Sequence, residues 1–131
     1  MVGAALDRGI NFIDTADMYG SGRNEEQLSG LLARRRKDVV LATKFAIMRT
    51  PDGGWSGLSN EPAYIKQACE ASLKRLKIDV IDLYYMHRFD PKVPVADMAG
   101  TMGELIAAGK IGSYGVSEWS AAHIREAHAV T

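Results

Sequence analysis

The sequence predicts an α/β fold of parallel strands alternating with helices. Three observations carry this reading. Short runs rich in aliphatic and β-branched residues recur at 11–14, 38–45, 79–86 and 112–117. The stretches between them place apolar residues at helical spacing, and helices that regularly separate strands imply parallel βαβ units. Each strand run also ends in a side chain able to do chemistry: Asp14, Lys44, His87 and Ser117-Glu118.

The elements follow in order. Asn11-Phe12-Ile13-Asp14 is a short strand. NEEQLSGLLARR (24–35) is a helix, with Asn24 as N-cap, acids in the first turn, Gln27 at the capping-box position, and Leu28, Leu31 and Leu32 on one face. DVVLATKF (38–45) is the second strand. A glycine-rich loop over 49–60 carries Trp55, which the sequence leaves open as a substrate-lining or a surface aromatic. Pro62 sits just inside the next helix, which runs to about Lys77 with Ile65, Cys69, Leu73 and Leu76 at helical spacing. DVIDLYYM (79–86) is the third strand. Pro94 precedes a helix with Val95, Met98, Met102, Leu105 and Ile106 inward and Gly109 as its C′ residue. The fourth strand is 112–117, and Ser120 caps a final helix. With no repeat, low-complexity tract or linker, 1–131 reads as one domain.

Composition narrows the function. The chain has 131 residues with 16 Lys and Arg against 16 Asp and Glu, so no net field favours nucleic acid or an anionic membrane. The basic run Arg34-Arg35-Arg36-Lys37 reads as a solvated helix end placed favourably for the helix dipole. The single cysteine, Cys69, has no internal partner, which favours a reducing compartment. MVGAALDRGI lacks the pattern of a signal peptide, and no apolar run reaches the roughly 18 to 20 residues that span a bilayer. The expectation is a cytoplasmic chain.

In parallel βαβ units the C-terminal strand ends share one side, which is the active face of a (β/α)8 barrel. An acid, an amine, an imidazole and a hydroxyl would then converge, with Tyr19 in the loop just beyond the first strand. A phenol with a pKa of about 10 is a poor acid near neutrality, and a neighbouring ammonium favours its ionised form. A carboxylate keeps the amine charged and fixed, and a histidine can hydrogen-bond a substrate oxygen. The set makes a general acid poised over a carbonyl, lacking only a reductant. Each residue alone has an ordinary structural explanation: a turn cap, a half-buried aromatic, a solvated charge. Their coincidence at one end of successive strands is what favours chemistry. Asp17 reads as a turn or helix-entry residue. Gly20 and Gly22 lack G-x-G-x-x-G spacing and read as a flexible loop leading to Asn24. No metal site is expected.

FIDTADMYG, VLATKF, LYYMHRFD and GKIGSYGVSEWS, in this order and spacing, resemble the aldo-keto reductase superfamily across almost the whole chain. The resemblance implies a (β/α)8 TIM barrel, here about half of one, covering its strands 2 to 5. It implies Tyr19 as general acid/base, Lys44 lowering its pKa, Asp14 paired with Lys44, and His87 orienting the carbonyl. It also implies cofactor contacts from Asp14, Tyr19, Ser117 and Glu118. Ser117 falls where the family meets the nicotinamide carboxamide, and Glu118 stands where Asn is usual. The implied activity is reduction of aldehydes or ketones to alcohols with NADPH. A half barrel would leave open edges at 11–14 and 112–117, inviting self-association. Two alternatives stand beside this: a non-catalytic regulatory subunit of the same fold, as in potassium channels, and a Schiff-base enzyme using Lys44.

Overall fold

The computed structural model describes residues 1–131. The chain runs α1 (Val2–Asp7), β1 (Phe12–Asp14), α2 (Arg23–Arg35), β2 (Val40–Phe45), β3 (Ile47–Arg49), β4 (Trp55–Leu58), α3 (Pro62–Leu76), β5 (Ile81–Met86), α4 (Val95–Ala107), β6 (Ile111–Val116) and α5 (Ala121–Val130). Four strands form one parallel sheet in the order β1-β2-β5-β6, with Asp14 level with Ala42, Lys44 with Tyr85 and Met86 with Val116. The strands predicted from the sequence are all present, each within two residues of its expected bounds.

One face of this sheet is covered. Phe45, Tyr84 and Met86 pack with Ile65, Cys69 and Leu73 of α3 and Met98, Met102 and Leu105 of α4. A smaller cluster joins Leu6, Leu28, Leu32, Val39, Leu41 and Leu76. Cys69 is fully buried here, and burial pushes its thiol up to about 11, so it behaves as a small apolar residue.

The other face is open. Strand alternation puts Phe12, Asp14, Val40, Lys44, Leu83 and Tyr85 on it. Phe12 is 47% exposed, so the first strand is not the buried one its apolar start suggests. It lies at an edge and nothing packs over it. Gly115 is required on this face, because a Cβ there would overlap the Tyr85 ring.

Four further expectations are corrected. The 49–60 loop contains an antiparallel hairpin, β3–β4, with Ile47 opposite Leu58; Trp55 on it is 69% exposed. Ile106 points outward, because the buried stripe of α4 is already filled by Val95, Met98, Met102 and Leu105. Helix α2 starts at Arg23 behind Gly22 rather than at an Asn24 cap, since Asn24 is occupied by Thr15. The basic run is more than a solvated end: Arg35 pairs with Asp7 and Asp38, and Arg36 with Asp82 at the start of β5. Gly109 does terminate its helix, at φ 72°.

Candidate functional site

The first strand and its neighbour set the site. Beyond Asp14 the ladder continues: Thr15 N–H donates to Ala42 O at 2.9 Å and Asp17 N–H to Lys44 O at 3.0 Å. The chain then turns sharply. Gly20, Ser21 and Gly22 all adopt left-handed backbone, with φ of 58°, 53° and 93°. That geometry suits glycine and reverses the chain into α2 directly after Tyr19. It forms a tight turn, not the flexible loop suggested by composition.

Lys44 lies at the centre. Its Nζ donates to Asp14 Oδ1 at 2.8 Å, to Thr15 O at 2.9 Å and to Tyr19 Oη at 3.5 Å. An ammonium has three donors, and all three are placed. Lys44 is 9% exposed, whereas Tyr19 is 38% exposed, so the phenol is the accessible member of the pair. His87 follows β5, its N–H donating to Phe45 O at 2.9 Å. Its ring meets Tyr19 edge to face, with centroids 6.3 Å apart. Burial, then Lys44 and Arg88, hold the imidazole below its ordinary pKa against the opposing pull of Asp14 and Glu118. It is neutral at neutral pH, with Nδ1 buried and unpartnered.

Four predicted residues, Asp14, Tyr19, Lys44 and His87, are thus brought together. Ser117 and Glu118 lie at the same end, one strand further along. Ser117 N–H extends the sheet to Met86 O at 3.1 Å. Glu118 adopts φ 57° and its carboxylate faces Arg88 at 3.3 Å. Neither side chain bonds to the other four.

A second polar group sits behind the first, and sequence reasoning missed it. Glu25 is fully buried; its carboxylate accepts from Thr43 Oγ1 at 2.6 Å and from Arg75 Nε at 2.7 Å. Thr15 Oγ1 donates to Asn24 Oδ1 at 2.5 Å. Asp17 is drawn into the same region. Burial, then Glu25, raise its carboxyl to about 7, with Oδ1 unpartnered. Asp17, Tyr64, Arg75, Arg49 and Ser56 line a cavity of about 340 Å³ between the 19–22 turn and the hairpin. The one available signal was an acid in the first turn of α2, which reads more simply as a helix-dipole residue.

A parallel sheet alternating with helices, with an acid, an amine, an imidazole and a phenol at the C-terminal ends of its strands, has the arrangement of part of a (β/α)8 barrel. The family model described as "Aldo/keto reductase family" matches residues 1–131, and the chain belongs to that family. The chain is 48% identical over 128 residues to "Aldo-keto reductase yakc [NADP(+)]" of Schizosaccharomyces pombe, covering 96% of itself and 38% of that protein. The glycerol dehydrogenase AKR11B4 of Gluconobacter oxydans superposes with a TM-score of 0.93 at 34% identity, over 99% of this chain and 41% of that one. An aldo/keto reductase of Klebsiella pneumoniae, solved with NADP and acetate, gives a TM-score of 0.77 at 33% identity, over 93% and 39%. The chain therefore spans about two-fifths of the length of these relatives and corresponds to part of their barrel. No helix is long and apolar enough to cross a membrane.

Proposed function

We propose that residues 1–131 form part of an NADPH-dependent aldo-keto reductase domain that reduces aldehydes or ketones to alcohols. The observation that carries this reading is the Lys44 ammonium, held between Asp14 and the exposed Tyr19 phenol at the strand ends.

The residues suit the nicotinamide end of the cofactor. Ser117 and His87 offer neutral hydrogen-bonding groups beside the open sheet face, as a carboxamide and a carbonyl require. The cations at this end are committed, Lys44 to Asp14 and Arg88 to Glu118, so the chain presents no cradle for a diphosphate there. Asp14, Tyr19, Ser117 and Glu118 would border the nicotinamide. The bound cofactor supplies hydride.

The chain's own residues handle the proton. Tyr19 donates its phenolic proton to the carbonyl oxygen as that oxygen gains negative charge. Lys44, 3.5 Å away, stabilises the phenolate that remains. Asp14 and Thr15 O fix the ammonium, and neutral His87 donates a hydrogen bond that orients the carbonyl. Full engagement of the Lys44 nitrogen also favours this role over a Schiff-base nucleophile, which would need a free amine.

The test is Tyr19→Phe in a barrel of the relatives' length carrying this sequence. Aldehyde-dependent NADPH oxidation is expected to fall by about 10²–10⁴, with NADPH binding retained by nicotinamide fluorescence. Unchanged turnover would overturn the reading. For the isolated chain, the open β1 and β6 edges point to self-association. A monodisperse monomer in size-exclusion chromatography would contradict that.

A further inference from the structure

We infer that Asn24, Glu25 and Arg75 are positioning residues that set the geometry of the Asp14–Lys44–Tyr19 group without touching a reacting atom. The inference rests on the reductase reading only for its catalytic consequence; the positioning itself is a property of the fold.

Two hydrogen bonds from the start of α2 reach the two strands that carry the site. Asn24 accepts from the Thr15 hydroxyl, and the carbonyl of that same Thr15 holds Lys44 Nζ. Glu25 accepts from the Thr43 hydroxyl, one residue before Lys44. Consecutive helical residues thus grip the residue after Asp14 and the residue before Lys44, which fixes the register at which the acid and the amine meet.

Arg75 of α3 closes the arrangement. Its Nε pairs with Glu25, and its stem lies directly under Gly22, where a Cβ would come within 2.9 Å of Arg75 Cδ. Gly22 ends the left-handed turn that begins after Tyr19. Arg75 therefore supports that turn from below while neutralising the carboxylate that holds β2. A fully buried carboxylate is costly unless paired, and such pairs contribute little net stability compared with a well-packed apolar cluster. Here the pair joins β2, α2, α3 and the Tyr19 turn at one point, which an apolar cluster would not hold in a defined register.

The test reads Lys44 without needing turnover. Reductive methylation with ¹³C-formaldehyde, followed by NMR, gives the rate at Lys44 relative to surface Lys66; Lys44→Met assigns the signal. Asn24→Ala and Thr43→Val each remove one grip and are expected to raise the Lys44-to-Lys66 rate ratio about tenfold. Asn24→Asp keeps an acceptor for Thr15 and should leave the ratio within about twofold of the parent. If Thr43→Val does not fold, Thr43→Ala removes the same hydrogen bond to Glu25 and takes its place. An unchanged ratio in folded variants, or a rise equal at every lysine, overturns the inference. In a turnover-competent barrel the same variants should lower kcat and leave KM in place. A shifted Lys44 ratio combined with full activity of Tyr19→Phe would leave the positioning standing and remove the reductase reading instead.

Discussion

A cation–carboxylate pair lies against each face of strand β2, and the two are built for opposite purposes. On the open face Lys44 meets Asp14, whose side chain is half exposed. On the helix face Arg75 meets Glu25, which no solvent reaches. Adjacent residues, Thr43 and Lys44, belong to the two groups, because successive side chains of a strand point to opposite sides. Burial separates the roles. A pair open on one side can meet a substrate. A pair whose carboxylate is sealed from solvent holds its neighbours instead.

The largest test of this contrast is to delete the cation from each pair. Arg75→Met leaves the Glu25 carboxylate without its partner where no solvent reaches it, and is expected to destabilise the fold by about 3–5 kcal/mol. Lys44→Met is expected to cost about 1 kcal/mol or less, because the Asp14 carboxylate left behind is half exposed and water can replace the lost partner. Denaturant midpoints of the two variants decide it, and equal losses would erase the distinction.

A smaller effect sharpens the helix-face description. Asp17 shares Arg75 with Glu25, and Tyr64 lies near; one cation cannot serve every acid there. The Asp17 carboxyl binds its proton more tightly folded than unfolded, at about 7 against 3.8. Stability linked to Asp17 is therefore complete below the unfolded value and falls as pH rises toward 7. Between pH 5 and pH 7 the loss is on the order of 2 kcal/mol. Asp17→Asn should remove that slope, making the variant more stable than the parent at pH 8 and similar at pH 4. Parallel pH profiles of the melting temperature for parent and variant would contradict the assignment.

The smallest effects fall on the open face. Tyr19→Phe should change stability by no more than about 0.5 kcal/mol, since the exposed hydroxyl lies at the long end of its bond to Lys44. His87 acts in the opposite sense to Asp17. Its imidazole is held neutral in the fold, so its contribution is intact above the unfolded value near 6.5 and is lost as pH falls below it toward the lower folded value. His87→Gln should flatten that acid limb, measured by thermal unfolding between pH 7 and pH 5.

Much of this was legible before any coordinates. Alternating aliphatic runs and helical spacings gave the parallel sheet, because the periodicities 2 and 3.6 report directly on which faces are buried. Reading strand ends as one group placed Asp14, Lys44 and His87 together, since parallel connections send every C-terminal strand end to the same side. The hairpin at 47–58 was not legible. Its sequence is rich in Gly, Pro, Asp and Ser, which signal turns, and its short strands lack a clear alternation. Asn24 misled for a related reason: the residue type suits a cap, yet its oxygen is taken by Thr15, nine residues away.

The sequence by itself determined the order of the four sheet strands and the helices between them, the family and the side chains that gather at the strand ends, because local periodicity and motif spacing are written along the chain. Tertiary structure alone decided which cation meets which acid. Glu25 and Arg75 are 50 residues apart and Asp14 and Lys44 are 30 apart. No local pattern links such partners. Their pairing follows from the order of strands in the sheet and the docking of α2 and α3 against it, and burial then makes one pair a support and the other a site.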